Sequence, residues 1–292
     1  MKPLVVGEVS VEAVIERDGP WRTPDDYFPD IPNDAMAARL AELEPFLRPG
    51  PEGKFDTTYQ SFVLRTPRHT VLVDTCVGED KPDRLPEFYS FPKQPWRDNL
   101  AAAGIAPEDI DFVCCTHLHV DHVGWNTRLK DGRWVPTFPN ARYVFSRREY
   151  TYWEAENANP ANPHGPAFRD SVLPVVEAGR AVLVDDDHAI DDELFLTPSP
   201  GHTPGHVCIN LDSNGSRAIF TGDMIHHPVQ CLEPDWNTRF CYDPAQSART
   251  RRQVLESCAE SGTLMVPAHF PAPTAGHVKV SGAGFRFHFL EG

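Results

Sequence analysis

Hydrophobic positions along the chain fall into short runs that switch between a two-residue and a three-to-four-residue period. Leu4 to Ile15 carries an alternating, strand-like pattern, and a loop bearing proline and aromatic residues follows from Trp21 to Pro32. NDAMAARLAELEPFL (33–47) has helical spacing, with Asn33 or Asp34 placed to cap it. TTYQSFVLRT and HTVLVDT are β-rich runs separated by Pro67 and a short turn, which predicts a hairpin ending at Asp74. PWRDNLAAAG predicts a helix closed by Gly104.

From there the two periods alternate. DFVCCT and ARYVF read as short buried strands, and SRREYTYWEAE and FRDSVLPVVEAG as helices. AVLVDD, LFLTPS, HVCINL and RAIFTGD add four strands, and TLMVPAH is the last firm one. DPAQSARTRRQVLESCAES is the clearest amphipathic helix, with Asp243 near its start. Many strands with interspersed helices predict an α/β protein built as an αββα sandwich, two mixed sheets inside and helices outside. Residues 1–292 read as one domain, with 1–55 an N-terminal extension packing on it.

Composition adds limits more than content. A hydrophobic share of 40% and a charged share of 24% allow an ordinary buried core, and the 29 prolines sit between apolar runs, as expected of many loops on a rigid scaffold. The net charge of −15 repels phosphate backbones and anionic membranes, so neither nucleic acid nor membrane is an expected partner. No stretch approaches the roughly 20 apolar residues of a membrane span, and the N-terminal run is broken by Glu8 and Glu12. A cytoplasmic protein is the expectation. The seven cysteines form no CxxC pair and read as buried free thiols.

The candidate chemistry lies at the ends of predicted strands. THLHVDHVGWN (116–126) places His117, His119, Asp121 and His122 within six positions, directly after an apolar strand. A tight turn there aims alternate side chains into one cavity. Imidazole and carboxylate are the natural ligands of zinc and related metals, and a merely solvated turn has no need of three histidines. His202 in SPGHTPGH, Asp223 in FTGD and His269 in VPAHF each follow a further strand. Taken singly they read as a loop histidine, a turn or helix cap, and a half-buried polar residue; beside the cluster they read as ligands.

This set, in this order, resembles the metallo-β-lactamase superfamily over about residues 56–270. The resemblance implies two divalent metal ions, zinc first, with manganese, iron or cobalt as alternatives. It assigns His117, His119 and His202 to one metal and Asp121, His122 and His269 to the other, with Asp223 bridging them. Asp74 matches an acidic residue that supports a ligand histidine. The implied reaction is hydrolysis by a metal-bridging hydroxide, with Asp121 orienting or deprotonating the nucleophile. In GDMIHHP, His226 stands where N-acyl-homoserine lactone lactonases often carry a tyrosine. The methyl parathion hydrolase branch has a similar Asp-x-x-His pattern. His226 is therefore a candidate to polarise the substrate or protonate the departing oxygen, against the plainer alternative of a histidine packed under the site.

The expected substrate is a small, largely neutral lactone or ester, with a phosphotriester as the alternative. A glutathione thioester or a superfamily nuclease is less favoured, since the cationic or RNA-binding segments of those relatives have no counterpart here. Degenerate binding modules lose ligands, and all seven are present. Aromatics crowd the regions expected to overhang the metals. Trp125, Phe88, Trp153 and Trp236 are the pocket candidates, with His277 in the Pro- and Gly-rich tail. The N-terminal segment with Trp21, Tyr27 and Phe28 is expected to cover the pocket or join two subunits, which makes a homodimer an expectation as well.

Overall fold

The computed structural model describes residues 1–84, 93–159, 162, 164–185 and 187–291. Among these, two sheets dominate. The seven-stranded sheet runs in the order β1 (Leu4–Val6), β2 (Val9–Arg22), β3 (Phe55–Arg65), β4 (Thr70–Val73), β5 (Phe112–Cys114), β8 (Arg142–Ser146) and β9 (Ala181–Val184). The six-stranded sheet runs β10 (Leu194–Pro198), β11 (Val207–Ser213), β12 (Ser216–Phe220), β13 (Leu264–Val266), β14 (Gly276–Ser281) and β15 (Gly284–Phe289). A separate small hairpin joins β6 (Thr127–Lys130) to β7 (Arg133–Pro136). The helices are α1 (Pro24–Tyr27), α2 (Asn33–Leu40), α3 (Trp96–Ala102), α4 (Arg147–Glu156), α5 (Leu173–Glu177) and α6 (Pro244–Ser261), besides shorter turns.

Alternation along the strands decides which residues meet. Phe62, Leu64, Val71 and Val73 point from the first sheet onto Leu196, Ile209, Leu211 and Phe220 of the second, and close a dry layer between them. The other face of the first sheet packs under α3 and α4 through Val63, Leu72, Val113, Tyr143, Leu100 and Trp153. The other face of the second sheet packs under α6 through Ile219, Met265, Phe285, Leu255 and Cys258. The result is the αββα sandwich read from the hydrophobic pattern.

Several expectations change in detail. Within the N-terminal segment, β2 pairs with β3 from Ser10↔Arg65 to Arg22↔Phe55 and so joins the first sheet. Gly7 takes a positive φ of 61° and splits the expected first strand into the β1–β2 hairpin. The helix expected over 33–47 ends at Leu40 and resumes only as a 3₁₀ turn at Pro45–Leu47. Its N-cap is Pro32, without a side-chain bond, rather than Asn33 or Asp34. TLMVPAH is followed by two further strands, β14 and β15, in which V-K-V and F-R-F-H-F alternate around a Gly-Ala-Gly turn. Asp243 does cap the long helix, accepting from Gln246 N. All seven cysteines are free thiols, six of them buried.

The edge of the sandwich that matters is set by two parallel pairings. β4 runs parallel to β5 in one sheet and β12 parallel to β13 in the other. Parallel neighbours bring their carboxyl ends to the same edge, so the segments after Val73, Cys114, Phe220 and Val266 emerge close together. No helix among the described residues is long and apolar enough to cross a membrane.

Candidate metal centre

The loops leaving those strands carry six of the seven residues singled out in the sequence, the turn between β10 and β11 carries His202, and all seven converge. Ligand-type atoms of His117, His119, His202 and Asp223 lie within 4.8 Å of one another, and Asp121, His122 and His269 form a second such group. Asp223 stands between them. Its Oδ2 faces His202 Nε2 at 3.4 Å and His117 Nε2 at 3.8 Å, while its Oδ1 faces His269 Nε2 at 3.0 Å and His122 Nε2 at 3.1 Å. Asp121 Oδ2 lies 3.6 Å from His269 Nε2 and 3.9 Å from His122 Nε2. One carboxylate thus offers one oxygen to each group.

On the rings of His122, His269 and His117, hydrogen bonds on the far side fix which nitrogen faces inward, while His119 Nδ1 and His202 Nε2 face each other at 2.9 Å. Asp74 Oδ2 takes the His122 Nδ1 proton at 2.8 Å, and the Thr58 carbonyl takes that of His269 Nδ1 at 3.0 Å. Thr116 donates its hydroxyl to Asp74 Oδ2, so at 3.1 Å its oxygen accepts from His117 Nδ1. In the neutral rings, each inward Nε2 is then a lone pair turned toward a carboxylate, and His117 Nε2, His122 Nε2 and Asp223 Oδ1 are buried without a hydrogen-bond partner. Lone pairs facing carboxylate oxygens repel unless a cation lies between them. The donor set fits divalent metal.

Electrostatics agree. Burial holds His117, His119 and His202 well below the usual imidazole pKa, so they present neutral nitrogens. Burial, the largest single influence, opposes charge on His122 and His269, but the surrounding carboxylates together outweigh it and draw both upward. These are Asp223, Asp74 and Asp121 around His122, and Asp223 and Asp121 around His269. Burial would raise Asp223, yet His122, His269 and His226 pull it well below the carboxylate range. The chain supplies the group that most wants positive charge beside it.

The supports are built as tightly as the ligands. Asp74 has φ 54°, an uncommon conformation for a non-glycine residue, and its carboxylate gathers Thr116 N, Thr116 Oγ1 and His122 Nδ1. His206, not singled out in the sequence, accepts from Asp223 N at 3.1 Å through Nε2. Its Nδ1 is therefore the donor to Ser199 Oγ at 2.7 Å. Gly222 sits between them with φ 48°; a Cβ there would meet Thr116 Oγ1 at 2.5 Å and His206 Nε2 at 2.8 Å. Only glycine fits.

A slot of about 30 Å³ opens onto the cluster, near the room one water occupies in the liquid. Besides the ligand residues, Arg22, Tyr27, Tyr59, His164, His226 and Phe240 line it. His226 Nε2 is 3.2 Å from Asp223 Oδ2, and its backbone N–H is held by Gln230 Oε1 at 2.8 Å. Tyr27, noted in the sequence, and Phe240 form wall; Arg22, Tyr59 and His164 were missed. His164 follows a Pro-rich stretch that reads as plain loop, yet its ring lies flat on His119 at 4.1 Å and 16°.

Four other pocket candidates, all among the described residues, do not line the slot. Trp125 is core: it stacks on Trp96 at 5.2 Å and donates to Glu16 Oε1 at 2.7 Å. Trp153 stands behind His119, edge-on at 5.3 Å, and Trp236 packs with the Tyr27, Phe28 and Leu40 cluster. His277 belongs to β14, opposite Leu264 and His288, and borders a surface groove with Val5 and Arg217. Phe88 lies outside the described residues. A larger cavity, about 650 Å³ beside α3, contains none of the cluster.

Comparison with known proteins agrees with this geometry. Residues 57–256 match the model of the metallo-beta-lactamase superfamily. An N-acyl homoserine lactonase AttM of Azorhizobium caulinodans is 35% identical over 186 residues, 59% of this chain and 62% of that protein. An N-acyl homoserine lactonase of a Bacillus species is 25% identical over 170 residues, 54% of this chain and 60% of that protein. The chain thus spans under two thirds of the length of these curated relatives. The hydrolase AbOPH superposes with a TM-score of 0.83 at 24% identity, covering 99% of this chain and 97% of that one. AidC, a dizinc quorum-quenching lactonase in complex with a product, superposes at 0.79 with 20% identity over the same shares. At such identities the superpositions speak for the fold. The family match extends over more than half of the chain and contains six of the seven clustered residues, and the fold supplies the seventh, so this chain belongs to the metallo-beta-lactamase superfamily.

Proposed function

We propose that the chain is a two-metal hydrolase that opens a lactone or cleaves an ester of a small, largely neutral organic substrate. The observation that carries this reading is Asp223, with one carboxylate oxygen toward each group of ligand side chains. His117, His119 and His202 would hold one cation and Asp121, His122 and His269 the other, with Asp223 shared. Divalent metals bound there supply Lewis acidity and make hydroxide available near neutral pH.

The remaining work falls to the chain itself. Asp121 lines the slot and is the carboxylate that orients the attacking water and accepts its proton at an Oδ atom. The His226 imidazole, beside Asp223 and kept neutral by burial, gives a ring N–H proton to the departing oxygen. Its other ring nitrogen takes up the proton that Asp121 accepted from the water. Tyr27, Tyr59 and Phe240 exclude bulk water and present apolar ring faces, which suits an uncharged acyl group. The relatives named as N-acyl homoserine lactonases make acyl-homoserine lactones the first substrates to try.

The test is a panel of rates on acyl-homoserine lactones of graded chain length, p-nitrophenyl esters and a phosphotriester. Each is measured on loaded enzyme, after chelation, and after zinc or manganese is returned. Lactone or ester turnover that vanishes and returns with metal supports the reading. Faster turnover of the phosphotriester moves the substrate class to phosphorus, and no turnover of any of them by metal-replete protein sinks the proposal.

A further inference from the structure

SRRE (146–149) has the S-x-x-E form of a helix capping box, in which the glutamate reaches back to the cap residue. Half of that expectation holds: Ser146 Oγ accepts from Glu149 N at the start of α4. The Glu149 carboxylate does something else. Its Oε1 accepts from Leu118 N at 3.1 Å and from Trp153 Nε1 at 2.6 Å, and its Oε2 accepts from Gly205 N at 2.9 Å. The side chain is buried, and every one of these partners is a donor.

Those partners belong to two different loops. Leu118 lies between His117 and His119 in the loop after β5, which leaves the first sheet. Gly205 closes the turn that starts at His202 between β10 and β11, in the second sheet. The third bond, from Trp153 one turn along α4, fixes the carboxylate's orientation, and the same indole stands edge-on to His119. Contact is close on the other loop as well: a Cβ on Gly205 would lie 2.2 Å from Glu149 N and 2.6 Å from its Cα. The first turn of α4 is thus pressed directly against the His202 turn.

We infer that Glu149 is a positioning residue that pins the His117–His119 loop to the His202 turn, and so governs metal retention in one group of ligands but not in the other. The inference rests on the two-metal reading above. Glu149 makes no hydrogen bond to Asp121, His122 or His269. The rings of His122 and His269 are held instead by Asp74 and the Thr58 carbonyl. Swapping the carboxylate for an amide keeps the shape but sets an NH₂ against a backbone N–H, so one of the two loops is released.

The experiment follows metal release from the loaded full-length protein into a chromophoric chelator, with metal content measured before and after. Wild type is expected to hold two metals. In Glu149→Gln one release phase accelerates about 10- to 100-fold, as expected for an outer partner of a metal ligand, and the other is unchanged. Excess zinc restores kcat, which a general structural lesion would not allow. In the cobalt-loaded variant the paramagnetically shifted ring N–H signals of His122 and His269 persist. Should Glu149→Gln fail to fold, Trp153→Phe removes one donor of three and is expected to accelerate the same phase severalfold. Fewer than two metals in wild type refutes the two-metal reading itself. Two metals in wild type, with both phases unchanged or both accelerated alike in the folded variants, overturns the role of Glu149.

Discussion

The ligand cluster and the wall of the slot above it meet at the same cavity but are built in opposite ways. In the cluster, every inward nitrogen whose tautomer is fixed has a backbone carbonyl, a carboxylate or a hydroxyl behind it. In the wall, Tyr27 and Phe240 meet through their rings. Tyr27 Oη shares a proton with Thr57 Oγ1, but the contacts among Tyr27, Phe240, Arg22 and His226 are ring packing, with Tyr27 and Phe240 edge to face at 5.8 Å. Hydrogen bonds impose direction, whereas ring packing imposes only volume. The chemistry of this site is therefore rigid and its selectivity adaptable, and substitutions in the two regions should separate.

The largest separation is expected at Asp223. Asp223→Ala removes an oxygen from each group and leaves His122 and His269 without the largest of the charges that draw their pKa upward. Metal content should fall below two per chain and kcat/KM by roughly a thousandfold or more on every substrate in the panel. Two retained metals by elemental analysis would refute the bridging role and with it the contrast between centre and wall.

His226 stands on the border, close to Asp223 on one side and to Tyr27 and Phe240 on the other. As the proton donor to the departing oxygen, His226→Gln should lower kcat by about a hundredfold, with metal content intact. The loss should shrink for p-nitrophenyl esters, whose leaving group needs no proton. An equal loss on esters and lactones would return His226 to the role of a packed histidine.

This contrast also explains what was legible in the sequence. The cluster could be read because strand ends, adjacent in the fold, leave His117, His119, Asp121 and His122 contiguous and put His202, Asp223 and His269 directly after apolar runs. Asp74 was legible for the same reason. The wall was not. Arg22 is the last residue of β2 and Tyr59 lies mid-strand in β3. The register between these strands shifts between Ile15 and Arg17, beside Tyr59, and again between Pro20 and Arg22, and periodicity does not tell which face a residue at such a shift takes. Trp125 failed as a pocket candidate on a similar point: nearness in sequence to His122 says nothing about direction, and the indole N–H turns away from the metals to Glu16. The β14–β15 hairpin was legible, since V-K-V and F-R-F-H-F alternate around the Gly-Ala-Gly turn, but the Pro- and Gly-rich stretch before it was read as one tail. His277 was carried into the site by that error.

Glu16 joins the two regions from behind. It lies on β2, which also carries Arg22, and its carboxylate accepts from Val77 N, Gly78 N and Trp125 Nε1 in the segments that flank Asp74 and His122. Burial pushes its pKa up to about 7 against a usual 4.5, with the hydrogen bonds and Arg17 pulling it down. A raised carboxyl pKa means that the folded chain holds the proton longer than the unfolded one. Its contribution to stability is full below pH 4.5 and is lost as pH climbs toward 7. Denaturant unfolding of wild type and Glu16→Gln should therefore differ by an amount that falls by on the order of 3 kcal/mol across that range. A difference independent of pH would mean that the three donors keep Glu16 ionised throughout.

The smallest effect is expected in the wall, and it bears most directly on the comparison. Phe240→Ala removes a half-buried ring that touches Tyr27 and His226 and lies under the Arg22 guanidinium at 5.0 Å. It takes no hydrogen bond from any metal-facing residue. An aromatic contact of this kind is worth about 1 kcal/mol, or a several-fold change in affinity. KM should rise by that factor for lactones with long acyl chains and hardly at all for short ones, while kcat and metal content stay at wild-type values. Measuring the full chain-length series separates the cases. If kcat drops on every substrate, or if metal is lost, the ring is holding His226 and Asp223 in place, and the division between a directed centre and a merely packed wall fails.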